Sequence, residues 1–297
     1  MLAQLAQPEV FSAHEYPVMS LAFSADGRWM ASGDTNRMVK LWKDGNVLHS
    51  FDLRSGDEKV WPTERIRGMA FSSDSCRFFI ACGDHLRSIE LGSGEIDWEF
   101  VPRRRLCFLV VSPVAIALRP NGALLAATNA GKLLEWNPEG KFLRGWTEGE
   151  CPTHLGLLAD GTRWVGTDGY HIGVWDIGSG LKTQRLSSHE RFYALATSPI
   201  ENVIAVRTLH DVKMLDMDSM EIRLAIRVGI GLPLVAFSPD GSKLAVGAEH
   251  GIEIHSLREC SAERIELTDA TLLSLAFNRS GSLAVGCSDH SIRIWPD

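Results

Sequence analysis

Arginine and aromatic side chains, which anchor many binding interfaces, are concentrated in two stretches of this chain. They are Trp61, Arg65, Arg67, Arg103, Arg104, Arg105 and Phe108. Guanidinium groups bind carboxylate and phosphate oxygens through paired hydrogen bonds, so this set could recognise an acidic partner. Two other interpretations stay open: the aromatic residues fold inward while the arginines pair with nearby acids on the surface, or the run from Arg103 to Arg105 contacts phosphate or nucleic acid.

Catalytic chemistry has no comparable signal in the sequence. The chain contains no G-x-S-x-G nucleophile elbow, no G-x-x-x-x-G-K phosphate loop and no H-E-x-x-H zinc motif. Its six cysteines are widely spaced without a C-x-x-C pair, and we interpret them as small buried hydrophobic residues. We therefore expect no cofactor and no metal site.

The bulk composition favours an ordinary globular protein. The 297 residues are 45% hydrophobic and 23% charged, with a net charge of -7. An acidic chain disfavours nucleic acid and anionic membranes as partners, because both attract basic surfaces. The first residues lack the pattern of a signal peptide and no stretch approaches the length of a membrane span, so we expect a cytoplasmic protein that does not bind membranes.

A short phrase recurs seven times along the chain. Its clearest copies are Leu21 to Gly27, Met69 to Asp74 and Val235 to Gly241. The positions equivalent to Phe23 are 23, 71, 118, 157, 197, 237 and 277, which gives a repeat length of about forty residues. A fixed period in this range indicates a repeat architecture.

Each copy has the pattern of a small antiparallel sheet. An apolar strand is followed by a turn with Asp-Gly, Asn-Gly or Ser-Gly, where glycine adopts a positive φ without steric cost. A second apolar strand such as Lys243 to Gly247, a polar loop and a third strand such as Met38 to Trp42 come next. Short, evenly spaced strands of this kind predict an all-β fold whose sheets repeat around an axis. Seven copies predict seven blades, in a single domain over residues 1–297.

The third strands resemble those of the WD-repeat family, and the resemblance extends over essentially the whole chain. The family's tryptophan position is occupied by Trp42, Trp136, Trp175 and Trp295. Only Trp175 is followed by the aspartate of the family's Trp-Asp pair. The resemblance implies a seven-bladed β-propeller in which these four tryptophans are wedged between sheets, whereas Trp29 and Trp98 are expected to be exposed.

The family's buried hydrogen-bond network joins a loop histidine, a serine, a turn aspartate and the tryptophan. The histidine is matched by His14 and His189. The aspartate, six residues before the tryptophan, is matched by Asp289 but replaced by Asn36 in the first copy. These departures bear on the network rather than on the fold.

The two ends of the chain predict how the ring closes. The last copy stops directly after its third strand, and residues 8–14 have the pattern of a fourth strand with its following loop. We expect the N-terminal strand to complete the last blade, with Val10 and Phe11 opposite the strand that ends the chain. Closure of this kind hides strand edges that would otherwise be exposed.

The first two repeats are about eight residues longer than the others. The surplus falls in residues 54–67 and 102–112, and both segments connect a fourth strand with the next first strand. In the family such connections lie on the rim that carries most partner contacts. The resemblance therefore implies two neighbouring enlarged loops that present the arginine and aromatic set.

The residues six and four positions before each Phe23 equivalent resemble those around the top entrance of the propeller channel. They are Pro17, Met19, Arg65, Arg67, Ser112, Val114, Cys151, Thr153, Arg191, Tyr193, Gly231, Pro233, Thr271 and Leu273. The pairs that stand out are Arg65 with Arg67 and Arg191 with Tyr193. They would suit an acidic or phosphorylated peptide, and the alternative that they are ordinary mouth residues without a ligand stays open.

Together these patterns favour a non-catalytic protein-protein interaction scaffold or adaptor that presents a binding surface on its top face. One alternative is a propeller enzyme with its site in the central channel, and another is a permanently buried structural subunit of a larger complex. The channel entrance contains no acid and no histidine, which disfavours the enzyme. A large exposed apolar patch on the disc would favour the structural subunit.

Overall fold

The computed structural model describes residues 7–54, 65–101, 112–147, 152–259 and 261–297, and all regular structure in these ranges is β-strand. In chain order the strands are β1 Glu9–Ser12, β2 Val18–Phe23, β3 Trp29–Asp34, β4 Met38–Lys43, β5 Asn46–Asp52, β6 Ile66–Phe71, β7 Arg77–Cys82, β8 His85–Glu90, β9 Ile96–Phe100, β10 Pro113–Leu118, β11 Leu124–Thr128, β12 Lys132–Trp136, β13 Phe142–Thr147, β14 His154–Leu157, β15 Arg163–Thr167, β16 His171–Asp176, β17 Lys182–Ser187, β18 Ala194–Thr197, β19 Val203–Arg207, β20 Asp211–Asp216, β21 Ile222–Arg227, β22 Val235–Phe237, β23 Lys243–Ala248, β24 Gly251–Ser256, β25 Ser261–Glu266, β26 Leu272–Phe277, β27 Leu283–Cys287 and β28 Ser291–Trp295.

The strands form seven antiparallel four-stranded sheets. Blades 1 to 6 take four consecutive strands each, from β2–β5 to β22–β25, and blade 7 has the order β26-β27-β28-β1. The first strand of each blade contacts the first strand of the next, and β2 contacts β26. These contacts place the first strands innermost and close a seven-bladed propeller, so the predicted fold class is confirmed.

The ring closes through the strand near the N-terminus. β1 pairs with β28 so that Val10 lies opposite Arg293 and Phe11 opposite Ile292. The predicted closure of the last blade by the N-terminal strand is thus confirmed. In the described part of the chain, no helix is long and apolar enough to cross a membrane.

The core lies between neighbouring blades rather than at one centre. The second strands β7, β11, β19 and β27 are buried along nearly their whole length. One apolar cluster joins Leu41 of blade 1 to Phe78 and Ile80 of blade 2. Each sheet is therefore covered on both faces by its neighbours, which is why the strands have continuous apolar runs.

The tryptophan positions follow the prediction in the third strands only. Trp42, Trp136, Trp175 and Trp295 are all buried. The expectation that Trp29 is exposed was wrong: it begins a second strand, packs in the core between blades 1 and 2 and is 7% exposed. Trp98 is partly buried rather than exposed, and its indole Nε1 donates a hydrogen bond to the Pro138 carbonyl oxygen over 3.2 Å.

The cysteines divide between core and surface. Cys82 and Cys287 are buried, as predicted, and burial raises the pKa of the Cys287 thiol to about 11. Cys76 is exposed, because it lies in the turn before β7 rather than in a strand. The prediction that it is buried was wrong. The remaining three cysteines, Cys107, Cys151 and Cys260, lie outside the described residues.

Removing residues 1–12 should destabilise the whole propeller, because the deletion takes away β1 and leaves the edge of β28 unpaired. Thermal unfolding followed by circular dichroism measures the effect. The control lacks residues 1–6 only and keeps the paired strand. If both truncated chains melted at the same temperature, ring closure by β1 would contribute nothing to stability.

Truncating a wedged tryptophan should cost more than truncating a peripheral one. Trp136→Ala removes a side chain that is 2% exposed and should lower the free energy of unfolding by about 3–5 kcal/mol. Trp98→Ala, on an outermost strand, should cost clearly less. Denaturant unfolding of both variants tests the difference, and equal losses would show that the third-strand position has no special role.

Candidate functional site

One edge of the ring carries the described residues that the sequence assigned to binding, namely Arg65, Arg67, Arg191 and Tyr193. Because the second and fourth strands of an antiparallel sheet run in the same direction, the connections that follow them lie at the same edge. We call this edge the top rim. The strands that precede and follow the two enlarged connections are described: β5 and β6 for the first, and β9 and β10 for the second, so blade 2 stands between the two connections in the chain. The candidate residues Trp61, Arg103, Arg104, Arg105 and Phe108 within them lie outside the described residues.

A β-bulge recurs at the top of the innermost strands. The register of first and second strands shifts by one residue in blades 1, 2, 3 and 7, at Met19, Arg67, Val114 and Leu273. A bulge leaves its extra residue without a ladder partner and turns that side chain away from the sheet. These four residues stand four positions before the Phe23 equivalents, so the bulge gives a physical reason why this position presents side chains at the rim. Arg67 is exposed there.

The two sequence-predicted pairs lie on different blades. Arg65 and Arg67 belong to blade 2, whereas Arg191 and Tyr193 immediately precede β18 of blade 5. The structure therefore places the pairs three blades apart instead of joining them in one site. The Arg191 guanidinium lies over the Tyr193 ring, 5.4 Å from its centroid, and both side chains are exposed. Among the described residues, no carboxylate pairs with Arg191.

The structure adds three exposed residues beside Arg191 and Tyr193 that the sequence did not assign. Tyr170 and Leu209 lie in the loops between second and third strands of blades 4 and 5, and Ile230 lies in the connection from blade 5 to blade 6. Tyr170 is 48% exposed and Ile230 is 60% exposed. We call Tyr170, Arg191, Tyr193, Leu209 and Ile230 the blade 4–6 arc.

Backbone hydrogen bonds hold the loops of the blade 4–6 arc side by side. The Phe192 N–H donates to the Gly169 carbonyl oxygen over 2.6 Å, and the Tyr193 N–H donates to the carbonyl oxygen of Arg207 over 2.8 Å. The Gly229 N–H donates to the His210 carbonyl oxygen over 3.2 Å. The arc is thus one continuous surface across three blades. The sequence contains no signal for these residues, because an exposed aromatic or apolar residue in a loop follows no repeat pattern.

Charges around the arc are fixed locally. Burial acts to raise the pKa of Asp168, but hydrogen bonds from the Tyr170 and His171 N–H groups and the His171 ring outweigh it and lower that pKa. The ionised Asp168 carboxylate therefore holds the Tyr170 loop in place. The Lys213 ammonium forms an ion pair with Glu190, which neutralises the acid next to Arg191.

A buried hydrogen-bond chain fixes the entry to blade 1. The Trp42 Nε1 donates to Ser32 Oγ over 2.8 Å, and Ser32 Oγ lies 2.7 Å from His14 Nε2. His14 Nδ1 lies 3.1 Å from Asp34 Oδ2, so Nδ1 carries the proton, because a carboxylate only accepts hydrogen bonds. The expected aspartate position holds Asn36, but Asp34 two residues earlier takes its place. The network is complete in this blade.

Within the described ranges, no three His, Cys, Asp or Glu side chains converge as metal ligands would. Adjacent acid and histidine residues such as Asp84-His85, Glu249-His250 and Asp289-His290 are kept apart, because each pair lies at the connection between the second and third strands of a different blade.

A protein-family model matches two separate parts of the chain, and one known protein is similar to the chain over a short segment. The family model described as "WD domain, G-beta repeat" matches residues 6–43 and 263–296, which include β1 and the third strand of blade 7. Polyadenylation factor subunit 2 of Candida albicans is 29% identical over 76 residues, which are 25% of this chain and 12% of that protein. The match thus spans about an eighth of the relative.

Asp34→Ala should lower the free energy of unfolding by about 1–3 kcal/mol, because the buried His14 Nδ1–H and the N–H groups of Asn36 and Met38 would lose their acceptor. Asn36→Ala is the matched control and should have little effect. Urea unfolding of both variants measures the difference. A larger loss for Asn36→Ala would show that the position six residues before the tryptophan matters after all.

Proposed function

Because this chain belongs to the WD-repeat family of β-propellers, we propose that it is a non-catalytic scaffold or adaptor whose top rim binds an acidic or phosphorylated segment of a partner protein. Propellers of this family generally serve as platforms for protein interaction. The fold supports only that general role, and the location of the binding surface depends on the rim residues themselves.

The exposed blade 4–6 arc is the observation that carries the proposal. Tyrosine and arginine are enriched among the residues that dominate binding energy, because they combine a large apolar contact area with directed hydrogen bonds. The arc presents Tyr170, Arg191 and Tyr193 together with two apolar side chains. Arg191 has no acidic partner among the described residues, so its guanidinium is available for a carboxylate or phosphate.

The second proposed part of the surface surrounds blade 2. Arg65 and Arg67 are exposed at the start of β6, between the two enlarged connections. The proposal includes Trp61 or Phe108 as anchors and the run from Arg103 to Arg105 as a group that attracts an acidic partner. Charges at the rim of an interface act mainly on the rate of encounter.

The relative is named as a subunit of a polyadenylation factor. By analogy, the proposal includes membership of a multi-subunit assembly, and the partner must be found by experiment. The cytoplasmic location and the single domain over residues 1–297 stay predictions. So does the expectation that nucleic acid and membranes are not partners.

Charge reversal on the rim should slow binding of the partner. Affinity purification with the wild-type chain from its native cells identifies the partner, and surface plasmon resonance at two salt concentrations then gives rate constants. Arg191→Glu, and separately the triple replacement of Arg103, Arg104 and Arg105 by Glu, should lower the association rate and reverse its salt dependence, because attraction becomes repulsion. Thermal stability should stay unchanged.

Arg264→Glu is the matched control, since Arg264 is exposed within the outermost strand β25 of blade 6 and not in a top-rim connection. It should bind at the wild-type rate. Unaltered association in both rim variants would place the binding surface elsewhere on the disc. If Arg264→Glu slowed association as much as Arg191→Glu, the change in net charge, and not the loss of a rim contact, would explain the slower association.

A further inference from the structure

Directly beneath the blade 4–6 arc lies a buried arginine that the proposed function has not used. Arg207 ends β19, the second strand of blade 5, and is 1% exposed. One of its guanidinium nitrogens, Nη2, donates to the Gly229 carbonyl oxygen over 2.8 Å. The other two, Nε and Nη1, are buried without a hydrogen-bond partner among the described residues. Three N–H donors of a permanently charged group are therefore unsatisfied.

The other six blades have a small residue at this position. In each blade, one residue of the second strand pairs with the tryptophan position of the third strand. In blade 5 this residue is Ile204, and Arg207 lies three residues after it. The equivalent residues of the other blades are found in the same way. These residues are Gly33, Ala81, Ala127, Thr167, Gly247 and Gly286. A Cβ atom on Gly33 would lie 2.5 Å from Ile66 of the next blade, and one on Gly286 would lie 2.7 Å from a side-chain carbon of Val18 of the next blade. The position thus faces the next blade, where the other six blades have a small side chain or none.

Blade 6 makes room for Arg207 because its first strand is short. β22 begins only at Val235, whereas β6 of blade 2 extends over six residues. Pro233 has no N–H to donate to a sheet ladder, and Gly231 lies against the backbone of Ala248. The residues from Gly229 to Leu234 therefore do not extend the sheet, and the Gly229 carbonyl oxygen among them accepts the hydrogen bond from Arg207.

The buried charge of Arg207 is poorly compensated. Burial lowers the pKa of Arg207, while Asp211 and Glu253 oppose that effect through space. Neither carboxylate hydrogen-bonds to the guanidinium. Burying a charge without a hydrogen-bonded counter-ion is costly, so an arginine at a position that six blades fill with small residues calls for an anion.

We infer that Arg207 forms the floor of an oxyanion site between blades 5 and 6, which takes a carboxylate or phosphate group from the partner segment bound on the blade 4–6 arc. This inference rests on the proposed function. The anion would replace the Gly229 carbonyl as the acceptor of Nη2 and add paired hydrogen bonds from the unsatisfied donors. The exposed Ile230 next to Gly229 marks where the segment from Gly229 to Leu234 meets the solvent.

Anion titration of the whole chain tests the site. The probes are sodium phosphate and sodium acetate at constant ionic strength, and the readouts are the melting temperature and the ¹⁵N NMR signal of Arg207 Nε, assigned by its loss in Arg207→Lys. In the wild type the Nε signal should shift and the melting temperature should rise. A response to phosphate alone identifies a phosphorylated residue as the source, and a response to acetate identifies Asp or Glu.

Arg207→Met separates an anion site from a structural role. Without added anion this variant should melt above the wild type, because an apolar side chain of similar length removes an uncompensated buried charge. Its melting temperature should not respond to phosphate or acetate. Arg264→Met, on the outermost strand, is the matched control and should respond as the wild type does. A wild-type Nε signal that moves with neither anion, or an unchanged anion response in Arg207→Met, overturns the inference.

Partner binding distinguishes failure of this inference from failure of the proposed function. If Arg191→Glu weakens binding while Arg207→Met binds as tightly as the wild type, the arc is the binding surface and the Arg207 site is refuted. Weakened binding in both variants supports both. If neither variant is impaired, the blade 4–6 arc is not the binding surface, and the assignment of the anion to a partner segment bound there fails with it.

Discussion

Closure of the ring by β1 and β28 is the pairing on which the other contacts depend. The second strands of the blades are buried on both faces, so each sheet relies on two neighbours to cover its apolar surface. An isolated small sheet could not bury those faces. Since β2 contacts β26 only when the ring is closed, the hydrogen bonds between β1 and β28 also maintain the cover of blades 1 and 7.

The same constraint gives the blade interfaces their chemistry. Close approach of neighbouring sheets requires small residues where a second strand faces the next first strand, as at Gly33 and Gly286. Arg207 breaks this rule, and the local structure differs with it, because β22 is short and the segment after β21 supplies the Gly229 carbonyl oxygen as an acceptor for Arg207. The large side chain of Arg207 is therefore accommodated at the interface of blades 5 and 6, while the other six interfaces keep a small residue at this position.

The sequence predicted what repeats and missed what depends on three-dimensional neighbours. Turn residues identify the blades because a positive φ is needed there, and Gly27 adopts it with φ of 76°, although Ser75 supplies it in blade 2 with φ of 54°. Trp29 was misassigned because alternation of burial does not hold in a strand covered on both faces. Neither the role of Asp34 nor the unsatisfied donors of Arg207 could be read from spacing, since both depend on which atoms face each other.

The rim can present basic groups on an acidic chain because many acids there are already neutralised. Hydrogen bonds from the Arg293 guanidinium reach both Asp269 and Asp289 in blade 7, and they help to lower the pKa values of these two carboxyls. Glu190 is paired with Lys213. Arg191 is left without such a partner among the described residues. The local potential at the arc is thus set by the unpaired guanidinium rather than by the net charge of the chain, because dissolved salt screens exposed charges over about 10 Å at an ionic strength of about 0.1 M.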